Sequence, residues 1–409
     1  MNELNHNENY SSLKDSCIKI YDELLILKEK NDSLEQKLKE LKSLISSVNQ
    51  HTVTKDEMKE MIKEGISPII NIIRGKIQVN AETQTDNVIV EKKKAKIKRI
   101  EEVMQSEELD TTYVTSMIET EDKRIVSGSE EGNISISSYD LDKKQWKRDI
   151  HKKNAHNVYV TSFCLLNGNR LLSGSDDSSI KVWSISDVNL ILLKDIKEHS
   201  NRVWKLIPLS KERFASGSWD RTVKIWKDDN TYKCISTLIH NGNVLSILQL
   251  RGKEVLVSSY YRNESKSTIG YISFWDINNY TQQHIIKGYG VYESTRMIEL
   301  SDGNVAFSSR DEPYPIIIID STSYQIKKEI YLKDYITHES SLCEFNEHSF
   351  IYVYEGTFLQ ISSEDYSILF QSKGGKFNGQ YGGIIPIEGG KYFAIENCEK
   401  ITIIKPCYV

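Results

Sequence analysis

The sequence predicts an all-β fold made of a repeated four-stranded unit, preceded by an α-helical segment. The main observation is a recurring motif: Arg170 to Trp183 reads RLLSGSDDSSIKVW, and Arg213 to Trp226 reads RFASGSWDRTVKIW, 43 residues later. A period of about 40 to 45 residues with four short strands per unit is typical of the blades of a β-propeller. The second observation is an apolar heptad pattern near the N-terminus, which is typical of a coiled coil.

Length and composition allow for a large folded core and a second segment. The chain has 409 residues, of which 39% are hydrophobic and 27% are charged. Its net charge of -5 argues against nucleic acid and against an acidic membrane surface as partners. The six cysteines show no metal-binding spacing and are interpreted as reduced thiols. Because no signal peptide or bilayer-length apolar stretch is visible, a soluble, cytoplasmic protein is expected.

Residues 10–49 are predicted to form a parallel coiled coil. The heptad a positions are Tyr10, Cys17, Leu24, Asn31, Leu38 and Ile45, and the d positions are Leu13, Ile20, Leu27, Leu34, Leu41 and Val48. A single asparagine at an a position favours a parallel dimer, because two such side chains can hydrogen-bond across the seam. Asn31 is therefore expected to set the register of the dimer. A homodimer and a heterodimer both remain open, as does a single helix packed against the β domain.

Residues 54–77 are predicted to form short helices, starting at a capping box of Thr54 and Glu57. Residues 78–96 are predicted to be a flexible linker because they are polar and charged. Within the linker, Thr83-Gln84-Thr85 resembles the anchor that dynein light chain binds as an added β-strand. A chance match is the alternative. Lys92 to Arg99 reads KKKAKIKR, which is either a nuclear localisation segment or a solvated run of charge.

Residues 97–409 are predicted to form seven blades. The units begin near Tyr113, Tyr159, Arg202, Val244, Tyr292, Ser341 and Gly383. The seventh unit has only three strands before the sequence reaches Val409, which would leave an edge with unpaired backbone groups. Residues 99–105 are therefore expected to pair with the last blade as its fourth strand and so close the ring.

From about residue 97 onward the chain resembles the WD-repeat β-propellers. Two units carry the polar tetrad of that family, namely His156, Ser173, Asp177 and Trp183 in one and His199, Ser216, Asp220 and Trp226 in the next. The resemblance implies that each tetrad is a structural hydrogen-bond network rather than a catalytic Ser, His and Asp set, since buried polar groups must be paired. A further unit keeps His240, Ser258 and Trp275, with about nine extra residues between its second and third strands.

The resemblance also implies a partner-binding face. It is formed by the turns between second and third strands and by the connections between blades. The residues expected there are Tyr159, Arg202, Trp219, Tyr260, Tyr261, Arg262, Tyr289, Tyr292 and Arg310. Tyr, Trp and Arg dominate interface hot spots. The insertion from Tyr260 to Thr268 is interpreted as a recognition loop, with a merely tolerated surface loop as the alternative.

These observations predict a non-enzymatic, dimeric scaffold or adaptor that binds proteins or peptides through the propeller face. One alternative is a dynein-associated adaptor, since the order of coil, light-chain motif and propeller is similar to that of dynein intermediate chains. Another is the substrate receptor of a ubiquitin ligase. Such receptors usually carry a Trp-Asp-x-Arg sequence at the end of the third strand, and neither Trp183, Trp226 nor Trp275 begins one. No catalytic residue, metal site or cofactor is expected, because no phosphate loop, ligand cluster or activated nucleophile was found.

Overall fold

The computed structural model describes residues 96–106, 113–264, 267–290, 296–309, 315–332, 340–354, 357–372, 383–397 and 400–408. The chain divides into two compact units, Met1–Lys94 and Ala95–Val409, and the described residues belong to the second. The predicted coiled coil with Asn31, the short helices, the Thr83-Gln84-Thr85 motif, Tyr292 and Arg310 lie outside the described residues. Within these ranges no helix combines the length and apolar character needed to cross a membrane.

The described residues form seven antiparallel sheets of four strands each. Six sheets follow the chain directly, and we call each sheet a blade. The first contains β2 (Val114–Glu119), β3 (Ile125–Ser129), β4 (Ile134–Asp140) and β5 (Gln145–Lys152). The second contains β6 (Val160–Leu166), β7 (Arg170–Ser175), β8 (Ile180–Ile185) and β9 (Leu190–Ile196). The third contains β10 (Val203–Leu209), β11 (Arg213–Ser218), β12 (Thr222–Lys227) and β13 (Cys234–Ile239).

The remaining blades have the same order of strands. The fourth contains β14 (Asn243–Gln249), β15 (Val255–Glu264), β16 (Ser267–Asp276) and β17 (Thr281–Lys287). The fifth contains β18 (Ile298–Glu299), β19 (Val305–Ser308), β20 (Ile316–Ile319) and β21 (Ile326–Ile330). The sixth contains β22 (Ser340–Asn346), β23 (Ser349–Tyr354), β24 (Thr357–Ser362) and β25 (Ile368–Gln371). The seventh contains β26 (Ile384–Ile387), β27 (Tyr392–Asn397), β28 (Lys400–Tyr408) and β1 (Ile97–Gln105), with a 3₁₀ helix at Glu388–Gly390.

The blades form a closed ring. The first strand of each blade is innermost, and β2 of the first blade contacts β26 of the seventh. The prediction of an all-β, seven-bladed propeller is confirmed. Because every strand pairs only with strands of its own blade, neighbouring blades are held together mainly by the packing of their side chains, and the core lies between them.

The seventh blade is completed by the N-terminal strand of the described domain. β1 pairs with β28 from Ile97 opposite Tyr408 to Gln105 opposite Thr402. The strand therefore starts two residues earlier than the expected 99–105. Its pairing covers the edge that the three C-terminal strands would otherwise leave open.

The Ser-Gly-Ser motif is explained by the contact between neighbouring blades. A Cβ atom placed on Gly128 would lie 2.7 Å from Val160, the first residue of the next inner strand. At Gly174 and Gly217 the equivalent distance to the valine of the next blade is 2.9 Å. These distances are too short for any side chain, so glycine at this position lets the inner strand of the next blade approach the sheet closely.

The core is assembled from two blades at a time. One apolar cluster joins Leu172 and Val182 of the second blade to Val203, Phe214 and Trp226 of the third. The second strands β7 and β11 lie in the middle of such layers and are almost wholly buried. This explains why their sequences read as continuous runs of small and apolar residues rather than as alternating patterns.

The insertion in the fourth blade is an extended hairpin and not a loop. β15 and β16 stay paired from Val255 opposite Asp276 to Glu264 opposite Ser267. The prediction that residues 260–268 form a loop is therefore wrong, since the described residues of this segment lie in two paired strands. The extra residues lengthen two strands, and the cross-strand pairs of Tyr260 with Tyr271 and of Arg262 with Ile269 support the continued pairing.

Candidate functional site

A hydrogen-bonded chain of four side chains lies inside the second blade. The indole N–H of Trp183 donates to Ser173 Oγ at 2.8 Å, and Ser173 Oγ lies 2.6 Å from His156 Nε2. His156 Nδ1 lies 3.1 Å from Asp177 Oδ2. Since an indole can only donate, the serine hydroxyl donates to Nε2, and the histidine proton is on Nδ1, where it donates to the aspartate. All the hydrogen bonds of this network therefore point the same way, from Trp183 on β8 through Ser173 on β7 and His156 to Asp177 in the turn.

The charge state of this chain follows from its surroundings. Burial lowers the pKa of His156, although the nearby Asp177 opposes that shift. Burial disfavours the Asp177 carboxylate, but hydrogen bonds from His156, Ser179 and the backbone hold the pKa of Asp177 well below its ordinary value. A neutral histidine therefore faces an ionised aspartate.

The third blade repeats this arrangement. Trp226 Nε1 donates to Ser216 Oγ at 2.8 Å, and Ser216 Oγ lies 2.7 Å from His199 Nε2. His199 Nδ1 lies 2.6 Å from Asp220 Oδ2. Asp220 also accepts the backbone N–H and the hydroxyl of Thr222, which holds its turn in place. Both tetrads predicted from the sequence are therefore hydrogen-bonded networks in the structure.

The fourth blade has an incomplete network. Trp275 donates to Ser258 Oγ at 3.0 Å, and Ser258 Oγ lies 2.8 Å from His240 Nε2. In place of an aspartate, His240 Nδ1 donates to the backbone carbonyl of Leu238 at 3.1 Å. The edge of the His240 ring packs on Tyr260, which itself stacks on Tyr271 with ring centroids 5.1 Å apart. The extended hairpin thus replaces the acidic turn with an aromatic pair.

This change makes His240 a source of acid sensitivity. Burial lowers the pKa of His240 to about 4, because no carboxylate compensates the charge of the imidazolium. An unfolded chain binds this proton near pH 6.5, so the stability that His240 contributes is present above pH 6.5 and is lost as the pH falls toward 4. We expect a loss of about 2 kcal/mol in unfolding free energy between pH 7 and pH 5 from this residue.

The measurement is urea unfolding of wild type and His240→Gln at both pH values. The glutamine can still accept from Ser258 and donate to Leu238, so it keeps the network without the titrating group. The variant should lose less stability than wild type on acidification, and His284→Gln, on the outer strand β17, should behave like wild type. An identical pH dependence in wild type and His240→Gln would contradict the assignment.

The tetrads are enclosed. Ser173 and Ser216 are both 0% exposed, and each hydroxyl is already hydrogen-bonded to a tryptophan and a histidine. A substrate has no access to such a hydroxyl, so the arrangement stabilises a blade and leaves no open position for a reacting group. Among the described residues, no group of three His, Cys, Asp or Glu side chains could hold a metal ion.

The exposed candidate site lies on one face of the ring, which we call the upper face. In each blade the first strand runs away from this face and the second returns to it. The turns between second and third strands and the connections between blades therefore lie there together, because antiparallel strands reverse direction at every turn. Loops on a rigid scaffold are where binding residues are usually placed.

On the upper face of the second and third blades, four side chains form a cluster. The guanidinium of Arg202 lies 4.7 Å from the centroid of the Trp219 ring, and Arg202 Nη1 lies 3.0 Å from Asp176 Oδ2. Trp219 in turn lies 5.4 Å from Trp204, between ring centroids. We call Arg202, Trp219, Asp176 and Trp204 the Arg-Trp cluster. The Arg202 side chain is 43% exposed, so it can still reach a partner.

The other residues predicted for this face are distributed around it. Tyr159 is half-buried beside the cluster, and its carbonyl accepts the Asp176 N–H at 3.1 Å. Arg262 is exposed on the extended hairpin. Tyr289 donates to Glu329 at 2.6 Å, and this bond together with burial raises the pKa of Tyr289 to about 12.

Two residues of the predicted face are not accessible. Tyr260 and Tyr261 are only 3% and 7% exposed, so their assignment to a partner-binding surface is corrected. The extension of β15 turns Tyr260 into the core against His240 and packs Tyr261 under Gly290, where a Cβ would lie 2.6 Å from the Tyr261 ring. A position within an insertion therefore does not by itself make a tyrosine exposed.

Sequence reasoning missed two members of the cluster. Asp176 directly precedes the tetrad residue Asp177, and only Asp177 was given a role. The signal that could have found Asp176 is the presence of a second acidic residue in the same turn. Trp204 lies on the inner strand β10, two residues after Arg202, where a bulge in the pairing with β11 changes the direction of the side chain. No pattern in the sequence locates such a bulge.

Comparison with known proteins agrees with this architecture. Residues 147–184 and 191–227 match the family model described as WD domain, G-beta repeat. Each match runs from an outer strand through the first three strands of the next blade. No curated protein sequence matches the chain.

Among solved structures, the chain is similar to the crystal structure of the WD40 beta propeller domain of Doa1, with a TM-score of 0.59 and 16% sequence identity. The likeness covers 75% of this chain and 97% of that one, and at this identity it shows the fold alone. Two matched WD40 repeats within a closed ring of seven four-stranded blades fit the WD-repeat family of β-propellers.

Proposed function

We propose that this protein is a non-enzymatic scaffold that binds protein partners through the upper face of its propeller. The observation that carries the proposal is the Arg-Trp cluster. It combines a half-exposed arginine, two neighbouring tryptophans and a buried acid that orients the arginine. Such preorganised aromatic and arginine side chains are the usual centres of protein interfaces, because they bury large areas while losing little conformational freedom.

The proposal is tested by affinity purification with full-length protein and with an Arg202→Ala, Trp219→Ala double variant. Truncation of hot-spot residues costs about 2 kcal/mol or more, which is roughly a 30-fold loss of affinity. Partners captured by wild type should therefore be lost from the double variant. Lys211→Ala, on the opposite face in the turn between β10 and β11, is the matched control and should retain them.

If the partners bind wild type and the double variant equally, the Arg-Trp cluster is not part of the interface. Thermal unfolding of the double variant provides the folding control. Both side chains are partly exposed, so the ring should remain intact.

A dimeric form of the scaffold is supported by the heptad pattern of residues 10–49 and by the single a-position Asn31. When two propellers share one coiled coil, binding of the first to a partner with repeated binding sites raises the effective concentration of the second at the next site. The expected result is a dimer for the full chain and a monomer for residues 96–409, measured by light scattering. A dimer from residues 96–409 would contradict the coiled coil as the dimerisation element.

A motor-associated form is supported by Thr83-Gln84-Thr85 alone. A peptide spanning Val79 to Val88 should bind dynein light chain if this motif is used, and a peptide without measurable affinity removes this form. The alternative of a ubiquitin ligase receptor has less support, because no arginine follows the tryptophans of β8, β12 and β16 at the required place. We place the protein in the cytoplasm, or in the nucleus if Lys92 to Arg99 acts as a signal.

A further inference from the structure

The outer strand of the first blade is strongly basic. Residues 143–153, which contain β5, carry six lysine and arginine side chains and one acid, a formal charge of +5 in a chain whose net charge is -5. The cations are Lys143, Lys144, Lys147, Arg148, Lys152 and Lys153. A local excess of this size attracts acidic partners although the chain as a whole is acidic.

The outer strands of the other blades lack this excess. Within its bounds β5 carries three cations and one acid, whereas β1, β9, β13 and β25 have no net charge. The strands β17 and β21 each have one more cation than acids. The basic character therefore belongs to one blade and is not a general property of the rim of the ring.

Half of these cations have no counter-charge. Lys143 pairs with Asp140 at 3.0 Å, and Lys147 pairs with Asp149 at 2.9 Å while its side chain stays 78% exposed. Three cations form no ion pair or side-chain hydrogen bond with another described residue, namely Lys144, Lys152 and Lys153. Their charges are available to a partner.

β5 is anchored on both faces of its blade. Trp146 stacks on Tyr139 with ring centroids 6.2 Å apart, and the Tyr139 hydroxyl donates to Glu119 at 2.7 Å. On the other face, Ile150 is buried in the apolar cluster shared with the second blade. A strand that is already fixed in this way loses little conformational freedom when a partner binds to it.

The outward edge of β5 is open in the part of the chain that the structure describes. There β5 pairs only with β4, so its outward N–H and C=O groups have no neighbouring strand. Such an edge is a template for an extended peptide. Lys147 and Lys152 lie on the same face of the sheet, because their partners on β4 are four residues apart. Acidic side chains on that face of an added strand would lie opposite them, with Cβ atoms about 5 Å apart.

The charges and the open edge together select the occupant. A second copy of β5 would place like charges opposite one another, which is destabilising in a strand pair. Single-stranded nucleic acid binds where bases can stack on aromatic rings, but the Trp146 ring is half-buried and already stacked on Tyr139. An acidic peptide matches the charges and can also pair with the backbone edge.

We propose that β5 binds an extended acidic segment of a partner protein as a fifth strand of the first blade. Main-chain hydrogen bonds along the edge supply affinity, and carboxylates opposite Lys147 and Lys152 supply specificity. This surface lies on the rim of the ring, whereas the Arg-Trp cluster lies on the upper face. The inference therefore does not depend on the Arg-Trp cluster.

The test uses a labelled twelve-residue peptide that alternates glutamate and valine, which places all the acids on one face of an extended strand. Its binding to the full chain is measured by fluorescence anisotropy at low salt. Wild type should bind, and Lys147→Glu, Lys152→Glu should bind about tenfold more weakly, because two cross-strand attractions become repulsions. Lys194→Glu, Lys328→Glu makes the same change of charge on β9 and β21 and should bind like wild type.

A second peptide separates strand addition from simple charge attraction. Proline in place of valine keeps the charge but removes half of the N–H groups, so this peptide should bind much more weakly than the valine peptide. Equal binding of the two peptides, or tighter binding of a twelve-nucleotide oligothymidylate, would overturn the proposal. So would the absence of binding between wild type and the valine peptide at millimolar concentration.

Two controls address folding and the other site. Lys147→Glu, Lys152→Glu should melt cooperatively, as wild type does, and Lys147→Gln, Lys152→Gln should still weaken binding if the charge reversal unfolds the ring. The Arg202→Ala, Trp219→Ala variant should bind the valine peptide like wild type. A loss of binding in that variant would place the peptide on the upper face and overturn the assignment to β5.

Discussion

A chain of residues 107–409 is expected not to form the ring, whereas residues 96–409 are expected to fold. The two truncations differ only by β1 and its flanking residues, so the comparison isolates the closing strand. β1 buries Ile97 and Met104, which are 1% and 7% exposed, and these two contacts contribute roughly 3 to 6 kcal/mol. This is comparable to the total stability of an ordinary domain, about 5 to 15 kcal/mol.

Hydrogen bonds add to this effect. The Ile97 N–H donates to Gln360 Oε1 of the sixth blade at 3.0 Å, and Ser106 exchanges two hydrogen bonds with Ile401 at 2.9 Å. Without β1, β28 would become an open edge, which favours aggregation.

Circular dichroism melts and light scattering of the two truncations give the measurement. The shorter chain should aggregate or show no cooperative transition. An Ile97→Asp, Met104→Asp variant of the full chain should also be destabilised. Because this variant keeps residues 1–95, its loss of stability comes from β1 and not from the removal of the preceding segment. An unchanged cooperative melt for residues 107–409 would show that the ring does not need this strand.

Trp226→Ala is expected to cost about 3 to 5 kcal/mol of unfolding free energy. Trp226 is 0% exposed, stacks on Phe214 with centroids 5.9 Å apart and donates to Ser216. Its removal leaves a large cavity between the second and third blades and breaks the third-blade network. Urea unfolding with an unchanged m-value is the appropriate measurement.

Two further variants divide this cost. Trp226→Phe keeps much of the ring volume but loses the indole N–H, so it should cost about 1 to 3 kcal/mol. Trp219→Ala removes a partly exposed tryptophan of the same blade and should cost less than either. If Trp219→Ala were as destabilising as Trp226→Ala, the distinction between the buried tetrad and the exposed cluster would be wrong.

The number of blades and the tetrads are visible in the sequence because their determinants are local. His199, Ser216, Asp220 and Trp226 lie within one 43-residue period, and their spacing repeats that of the preceding unit. Glycine in Ser-Gly-Ser is visible for the same reason in the first three blades, where Gly128, Gly174 and Gly217 let the valine of the next inner strand approach. Weaker repeats such as β22 to β25 are recognisable only by their strand rhythm, because aromatic packing there replaces the polar network.

The sequence by itself determined the repeat, the fold class and the order of strands, since these depend on residue type and spacing along the chain. Only the tertiary structure decided that Tyr260 and Tyr261 are buried and that Asp176 and Trp204 join Arg202 and Trp219. The physical reason is that these relations join different blades or follow a bulge, and a single shift of register turns a side chain from solvent to core.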